Sequence, residues 1–121
     1  MKNLDQIRAA AALQPAKSLD KSAVNKLPAM IMSNGLLATI AFCHADSNGV
    51  NRIHMENALR ATARHLAGQN LVAAGTDDLM AFVKDLSERD SLHLQRATDE
   101  ALAFISYLRR FAEKDKNAQK E

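Results

Sequence analysis

The sequence is poor in the residues that build β-hairpins, disulfides and aromatic cores. Its 121 residues include four Gly, two Pro, one Cys and no Trp, and aromatic residues make up only 4%. The scarcity of β-branched and aromatic residues argues against strands, and a single cysteine, Cys43, excludes an intrachain disulfide. The apolar 47% is carried mainly by Ala, Leu, Ile and Met, which favour helix. An all-α fold in one domain is therefore predicted.

Long apolar runs are lacking as well, and a secretory leader is not expected. No stretch approaches the roughly 18 apolar residues that a membrane-spanning helix needs, and no charged start leads into an apolar segment with a cleavage site. We therefore expect a protein of the reducing cytoplasm without membrane contact. The sequence further predicts a helical domain over residues 1–114 and a disordered C-terminal tail over 115–121, where the apolar pattern stops.

The net charge of +2 is small, but the charges are unevenly distributed. Residues 1–65 hold eight Lys or Arg against four Asp or Glu, whereas residues 66–121 hold eight against ten. Residues 1–65 can therefore contact phosphates, and residues 66–121 can contact a basic partner molecule.

The apolar pattern predicts a compact bundle of five or six helices. Pro15 should end or kink the first helix, and Pro28 and the Asn34-Gly35 pair should break or kink the second stretch, with Leu27-Pro28 opening a new first turn. The expected stretches are 3–13, 18–45, 51–66, a helix with Thr76 as its N-cap, and about 90–114, with a turn at 46–49 and Gly68 as a C-cap.

Three apolar stripes are expected to form the core. They are Met55, Leu59, Thr62 and Leu66; Leu79, Phe82, Val83 and Leu86; and Leu94, Ala97, Ala101, Leu102, Ile105, Leu108 and Phe111.

The sequence offers little support for catalysis. The four histidines (His44, His54, His65 and His93) lack metal-ligand spacing, and Cys43 is expected to be a buried thiol. The carboxylates Asp77, Asp78, Asp85, Glu88 and Asp90 are best explained as helix caps and a solvated face. Phosphate-binding loops and hydrolase motifs are missing. No catalytic residue, metal or cofactor is therefore predicted.

Two groups of basic residues are candidates for RNA binding. They are Lys17, Lys21 and Lys26 ahead of Pro28, and Arg52, Arg60 and Arg64, which helical spacing brings towards one face of the third helix. The alternative is that both groups simply form solvated helix faces. Because aromatic stacking residues are missing from both groups, any RNA contact is expected to be with the backbone and independent of sequence.

Two segments resemble a known family. Residues 27–36, LPAMIMSNGL, precede a Thr-Ile-Ala-Phe helix at 39–42, and residues 97–113 form an amphipathic closing helix. The chain resembles, over nearly its whole length, the small subunits of type III-B (Cmr) CRISPR effector complexes. The residues of the motif are Leu27, Pro28, Asn34, Gly35 and Leu36.

The resemblance implies a non-catalytic helical subunit that stacks with copies of itself as an inner filament in antiviral defence. Its implied partners are the backbone and large subunits of the Cmr complex, guide RNA and target RNA. Two alternatives remain open at this point: the small subunit of a neighbouring CRISPR class such as type III-A, and a helical adaptor that binds only protein. An enzyme is a third possibility, which metal-dependent turnover by the purified protein would support.

Overall fold

A computed structural model describes residues 1–45, 50–75 and 78–112 of the chain. These residues are helical with short connections and form no β-sheet, which confirms the predicted all-α bundle. The helices are α1 (Leu4–Ala16), α2 (Lys21–Asn25), α3 (Leu27–Asn34), α4 (Leu36–Ala45), α5 (Val50–Gly68), α6 (Leu79–Ser87) and α7 (Ser91–Phe111). Only Lys26 separates α2 from α3, and its φ of −79° and ψ of −21° are helical. Taken as one kinked helix, these two segments give six helices, as expected.

The first helix begins with a capping box. The Asn3 side chain accepts a hydrogen bond from the Gln6 backbone N–H, and the Gln6 side chain accepts one from the Asn3 N–H. The helix continues to Ala16 and includes Pro15 in its last turn. The prediction that the helix ends near residue 13 was therefore wrong. A proline in the last turn removes only one backbone bond, and the tight turn onto Lys17 satisfies the Gln14 and Pro15 carbonyls.

The second stretch is broken at both predicted places. Leu27 and Pro28 occupy the first turn of α3, where the missing N–H of proline costs no helical bond. The second break falls at Gly35, which ends α3 with φ 93° and ψ 160°. Its carbonyl then accepts the backbone N–H of Thr39 at 3.1 Å and so begins α4.

Gly35 is needed for its backbone angles. No heavy atom of the described residues lies within 4 Å of the position that a Cβ would take at Gly35. Close packing against another described helix is therefore not the reason for the glycine. The positive φ is one that residues with a Cβ rarely adopt.

Replacing Gly35 with alanine is expected to lower the free energy of unfolding by about 1–3 kcal/mol, the cost of that strained backbone region. Gly68→Ala is the matched control. Gly68 is the last helical residue of α5 and has open space around it, so there the same change should be neutral or stabilise by up to about 1 kcal/mol. Urea denaturation of both variants checks the contrast, and equal effects would contradict it.

The end of α5 differs from the prediction. Gly68 is still helical, and the left-handed residue is Asn70, with φ 62°. The Leu71 N–H donates to the Leu66 carbonyl at 2.9 Å and the Asn70 N–H to the Ala67 carbonyl at 3.1 Å. This pair of bonds is a Schellman motif. Asparagine tolerates the left-handed conformation better than most residues, so it takes the place expected of glycine.

The last two helices are capped by aspartates. Asp78 accepts from the Met80 N–H, and Asp90 accepts from the His93 N–H. The predicted N-cap Thr76 was therefore wrong by two residues, because α6 begins at Leu79.

Helix α7 ends at Phe111, three residues before the expected end. The predicted turn at 46–49, the residues Thr76 and Asp77, and the predicted tail at 115–121 lie outside the described residues.

Helices α5 and α7 pack together at the centre, with α1 against both of them and α4 between α3, α5 and α6. The first stripe is buried as predicted, and the other two are confirmed in most of their members. Phe111 was assigned to the core wrongly, because it is 37% exposed. Phe104, which was not predicted, is fully buried in its place, since residues 97, 101, 104 and 108 lie on the inner face of α7.

Candidate nucleic-acid interface

A basic cleft lies where α2 meets the end of α7. Lys21, Asn25, Arg109 and Arg110 line it, and its volume is about 300 Å³. The Arg109 Nε donates to the Asn25 Oδ1 at 3.0 Å, which ties the two helices together across the cleft. Lys21 therefore converges with two arginines that lie far from it in the chain and with one amide group, and none of the four lining residues is acidic or apolar.

Only one of the three predicted lysines lies in this cleft. Lys21, the first residue of α2, is partly buried along the cleft wall. Lys17 is the exposed C-cap of α1, and Lys26 is exposed directly after α2. The sequence reasoning missed Arg109 and Arg110, because basic residues in the last turn of a helix are common for their interaction with the helix dipole alone.

The three predicted arginines of α5 differ in their surroundings. The Arg52 guanidinium lies 3.7 Å from the centroid of the Phe42 ring, and its Nη1 donates to the Phe42 carbonyl at 3.2 Å. Arg52 therefore fastens α5 to the end of α4. The Arg60 Nη1 donates to the Asn57 Oδ1 at 3.1 Å, whereas Arg64 is exposed one turn further along the helix. The structure does not bring these arginines to the basic cleft.

The motif residues divide between the core and an apolar groove. Leu27 and Leu36 are buried, and Pro28 is partly buried. Asn34 is exposed and lines a shallow groove between α3 and α4, which we call the motif groove. The residues lining the motif groove are Met30, Asn34, Ala38, Thr39 and Phe42. The motif therefore serves both the helix break and a surface next to it.

A buried polar cluster joins three helices away from the cleft. Arg8 of α1 makes a two-pronged contact with Glu100 of α7, at 2.8 Å from Nε and 2.7 Å from Nη2. The His65 Nε2 of α5 lies 2.7 Å from Glu100 Oε2, the oxygen that also accepts from Arg8 Nε, and the His65 ring stacks on Phe104 at 4.5 Å. Hydrogen bonds from Arg8 lower the pKa of Glu100, with a further contribution from His65. Glu100 is therefore an acceptor, and His65 donates to it through Nε2.

His54, His93 and Cys43 occupy structural positions. His54 Nδ1 accepts the Asp20 N–H at 3.1 Å, and His93 Nε2 lies 2.6 Å from the Leu71 carbonyl. Cys43 is fully buried, and burial raises its thiol pKa to about 11, far above the range of a reactive thiolate.

The predicted role of the acidic residues is confirmed for three of those that the structure describes. Asp78 and Asp90 are caps, and Glu88 forms an exposed pair with Lys84. Asp85 is partly buried and pairs with Arg89. Among the described residues, no three His, Cys, Asp or Glu side chains are grouped to hold a metal ion. None of the helices in the described ranges has the length and apolar character needed to span a membrane.

Comparison with protein families gives one match that covers nearly the whole chain. The family model Cas_Cmr5, described as a CRISPR-associated protein, matches residues 2–115. No curated protein and no solved structure matches the chain significantly. The match includes both segments on which the resemblance was based, as well as the helices that form the basic cleft and the motif groove.

Proposed function

The chain belongs to the Cas_Cmr5 family, the small subunits of type III-B Cmr CRISPR complexes, and from this premise we propose that it is a non-catalytic structural subunit of an RNA-guided effector complex. In this role it stacks with copies of itself as an inner filament beside the backbone and large subunits, in the cytoplasm. It supports guide RNA and target RNA through contacts with their phosphate backbone, as part of antiviral defence.

The observation that carries this proposal is the family match over residues 2–115, which leaves only short ends outside it. The local chemistry supports a structural role. The thiol of Cys43 is buried and protonated, and the buried carboxyl group of Glu100 is held between Arg8 and His65. Groups engaged in this way stabilise the bundle and are not available as a nucleophile or a general base.

Weak contacts per copy suit a filament. Each chain contributes a few cations, and linked copies bind one RNA with a high effective local concentration. The unequal charge of the two parts of the sequence suits head-to-tail contacts between successive copies, which are heterologous. Lys17, Lys21 and Lys26 and the α5 arginines Arg52, Arg60 and Arg64 remain candidates for RNA contact.

A second candidate function is an adaptor that binds protein without touching RNA. The motif groove favours it, because Phe42 of α4 is 47% exposed there and Met32 of the neighbouring α3 is 75% exposed. Exposed apolar side chains of this size are common at protein interfaces. The two functions differ in salt dependence, because only RNA binding by cations weakens steeply as salt rises.

Co-purification tests the proposed function. The tagged chain is expressed with its genomic neighbours, purified at low salt, and divided into untreated and ribonuclease-treated samples. We expect the other Cmr subunits and guide RNA in the untreated sample. The same tag on an unrelated helical protein is the control. Recovery of the partner proteins without RNA would favour the adaptor, and recovery of neither would contradict the proposal.

A further inference from the structure

The basic cleft between α2 and the end of α7 is the feature with the clearest ligand chemistry. We infer that this cleft is the main RNA-binding surface of the chain and that its ligand is the phosphodiester backbone of single-stranded or guide-paired RNA. The inference rests on the proposed function, and it assigns that function to residues which the family match does not single out.

The side chains of the cleft are arranged for an anion. Asn25 holds Arg109 through Nε alone, so both terminal nitrogens of that guanidinium can donate to a phosphate. Lys21 of α2 and Arg110 of α7 add two further cations to the lining of the cleft. An arginine fixed in orientation loses less side-chain entropy on binding than a freely rotating one.

The lining of the cleft fits a phosphate backbone better than an acidic protein surface. Stable protein interfaces have a desolvated centre of aromatic or aliphatic side chains, whereas the four residues that line this cleft are cationic or carry an amide group. No aromatic side chain is among them, so bases have no stacking surface there. Contacts with the backbone alone are therefore expected, and binding should be independent of sequence.

The cleft is better suited to bind RNA phosphates than the arginine face of α5. Arg52 is already committed to the ring and carbonyl of Phe42, and an RNA phosphate would have to compete with both contacts. Arg60 holds Asn57 one turn away on the same helix. The cleft instead combines cations from two helices, which gives it a concave shape that a single helix face lacks.

Reconstituted Cmr complexes containing variants of this chain test the inference. The cleft variant is Lys21→Gln with Arg110→Gln, which removes two charges and keeps the bond between α2 and α7. The matched control is Lys84→Gln with Arg89→Gln, the same charge change in and just after α6, which does not line the cleft. Circular dichroism and subunit stoichiometry are measured for each complex before RNA binding.

We expect the cleft variant to assemble normally and to bind RNA about tenfold more weakly. The slope of log affinity against log salt should fall in magnitude by about 1.4–1.8, as expected for two lost phosphate contacts. The α6 control should stay within about twofold of the unmodified complex, because exposed charges away from the ligand are screened by salt. Affinity should not depend on the RNA sequence.

A third variant, Arg60→Gln with Arg64→Gln, compares the cleft directly with the α5 face. A larger loss of RNA affinity in this variant than in the cleft variant would overturn the inference, as would equal slopes for the cleft variant and the α6 control. If the cleft variant failed to assemble while its isolated chain stayed folded, the cleft would be a protein interface, and the inference would be wrong. In all three cases recovery of RNA with the unmodified chain would still uphold the proposed function.

Discussion

Replacing Phe104 with alanine is expected to lower the free energy of unfolding by about 3–5 kcal/mol, the usual cost of deleting a buried phenyl ring. Phe104 is fully buried on the inner face of α7, at the centre of the bundle. Its loss would leave a cavity and would also remove the ring on which His65 stacks. A loss of this size can unfold a domain of marginal stability.

Phe111→Ala is the matched control for this change. It deletes the same ring from the same helix, but Phe111 is 37% exposed. We expect a loss of about 1 kcal/mol or less there, because solvent already reaches much of the ring. Urea denaturation followed by circular dichroism measures both variants. Similar losses at the two positions would contradict the assignment of Phe104 to the core.

Replacing Glu100 with glutamine is expected to lower the free energy of unfolding by about 2–3 kcal/mol at neutral pH. The change removes the charge that both Arg8 and His65 contact, and it leaves the guanidinium of Arg8 only partly solvated. Glu88→Gln is the control, because it makes the same chemical change in an exposed pair with Lys84 and should have little effect.

The effect of Glu100→Gln should depend on pH in a defined direction. The pKa of Glu100 in the folded chain is lowered from its ordinary value of 4.5. The stabilisation from its charge is therefore complete above that value and is lost as the pH falls through the lowered pKa. The difference between the variant and the unmodified chain should be constant near neutrality and shrink below about pH 4.5. A difference that persists unchanged in acid would show that charge is not its cause.

The Glu100→Gln variant also tests how α1 is held in the bundle. Its only fully buried side chains are Ala12 and Ala16, which provide little apolar area. The pair between Arg8 and Glu100 therefore supplies a specific contact that fixes α1 on α7. Since α5 holds the third member of the cluster, His65, the same contact sets the relative position of three helices.

Much of the local structure could be predicted from the sequence. Pro28 and Gly35 break the second stretch because one lacks a donor and the other adopts a positive φ, and both properties belong to the residues themselves. The stripe from Met55 to Leu66 is buried because its spacing follows the helical period. The left-handed conformation of Asn70 was not predicted, because it depends on where α5 ends and the residue type alone does not indicate it.

The sequence by itself determined the helical class, the breaks and the family, because each depends on neighbours within one or two turns or on a continuous pattern. Only the tertiary structure decided which distant groups meet. Arg8 lies 92 residues from Glu100, and Asn25 lies 84 residues from Arg109. Several packing orders satisfy the same apolar stripes, and each would bring different polar groups together. The basic cleft and the buried cluster therefore follow from how α1, α2, α5 and α7 pack, which local patterns do not specify.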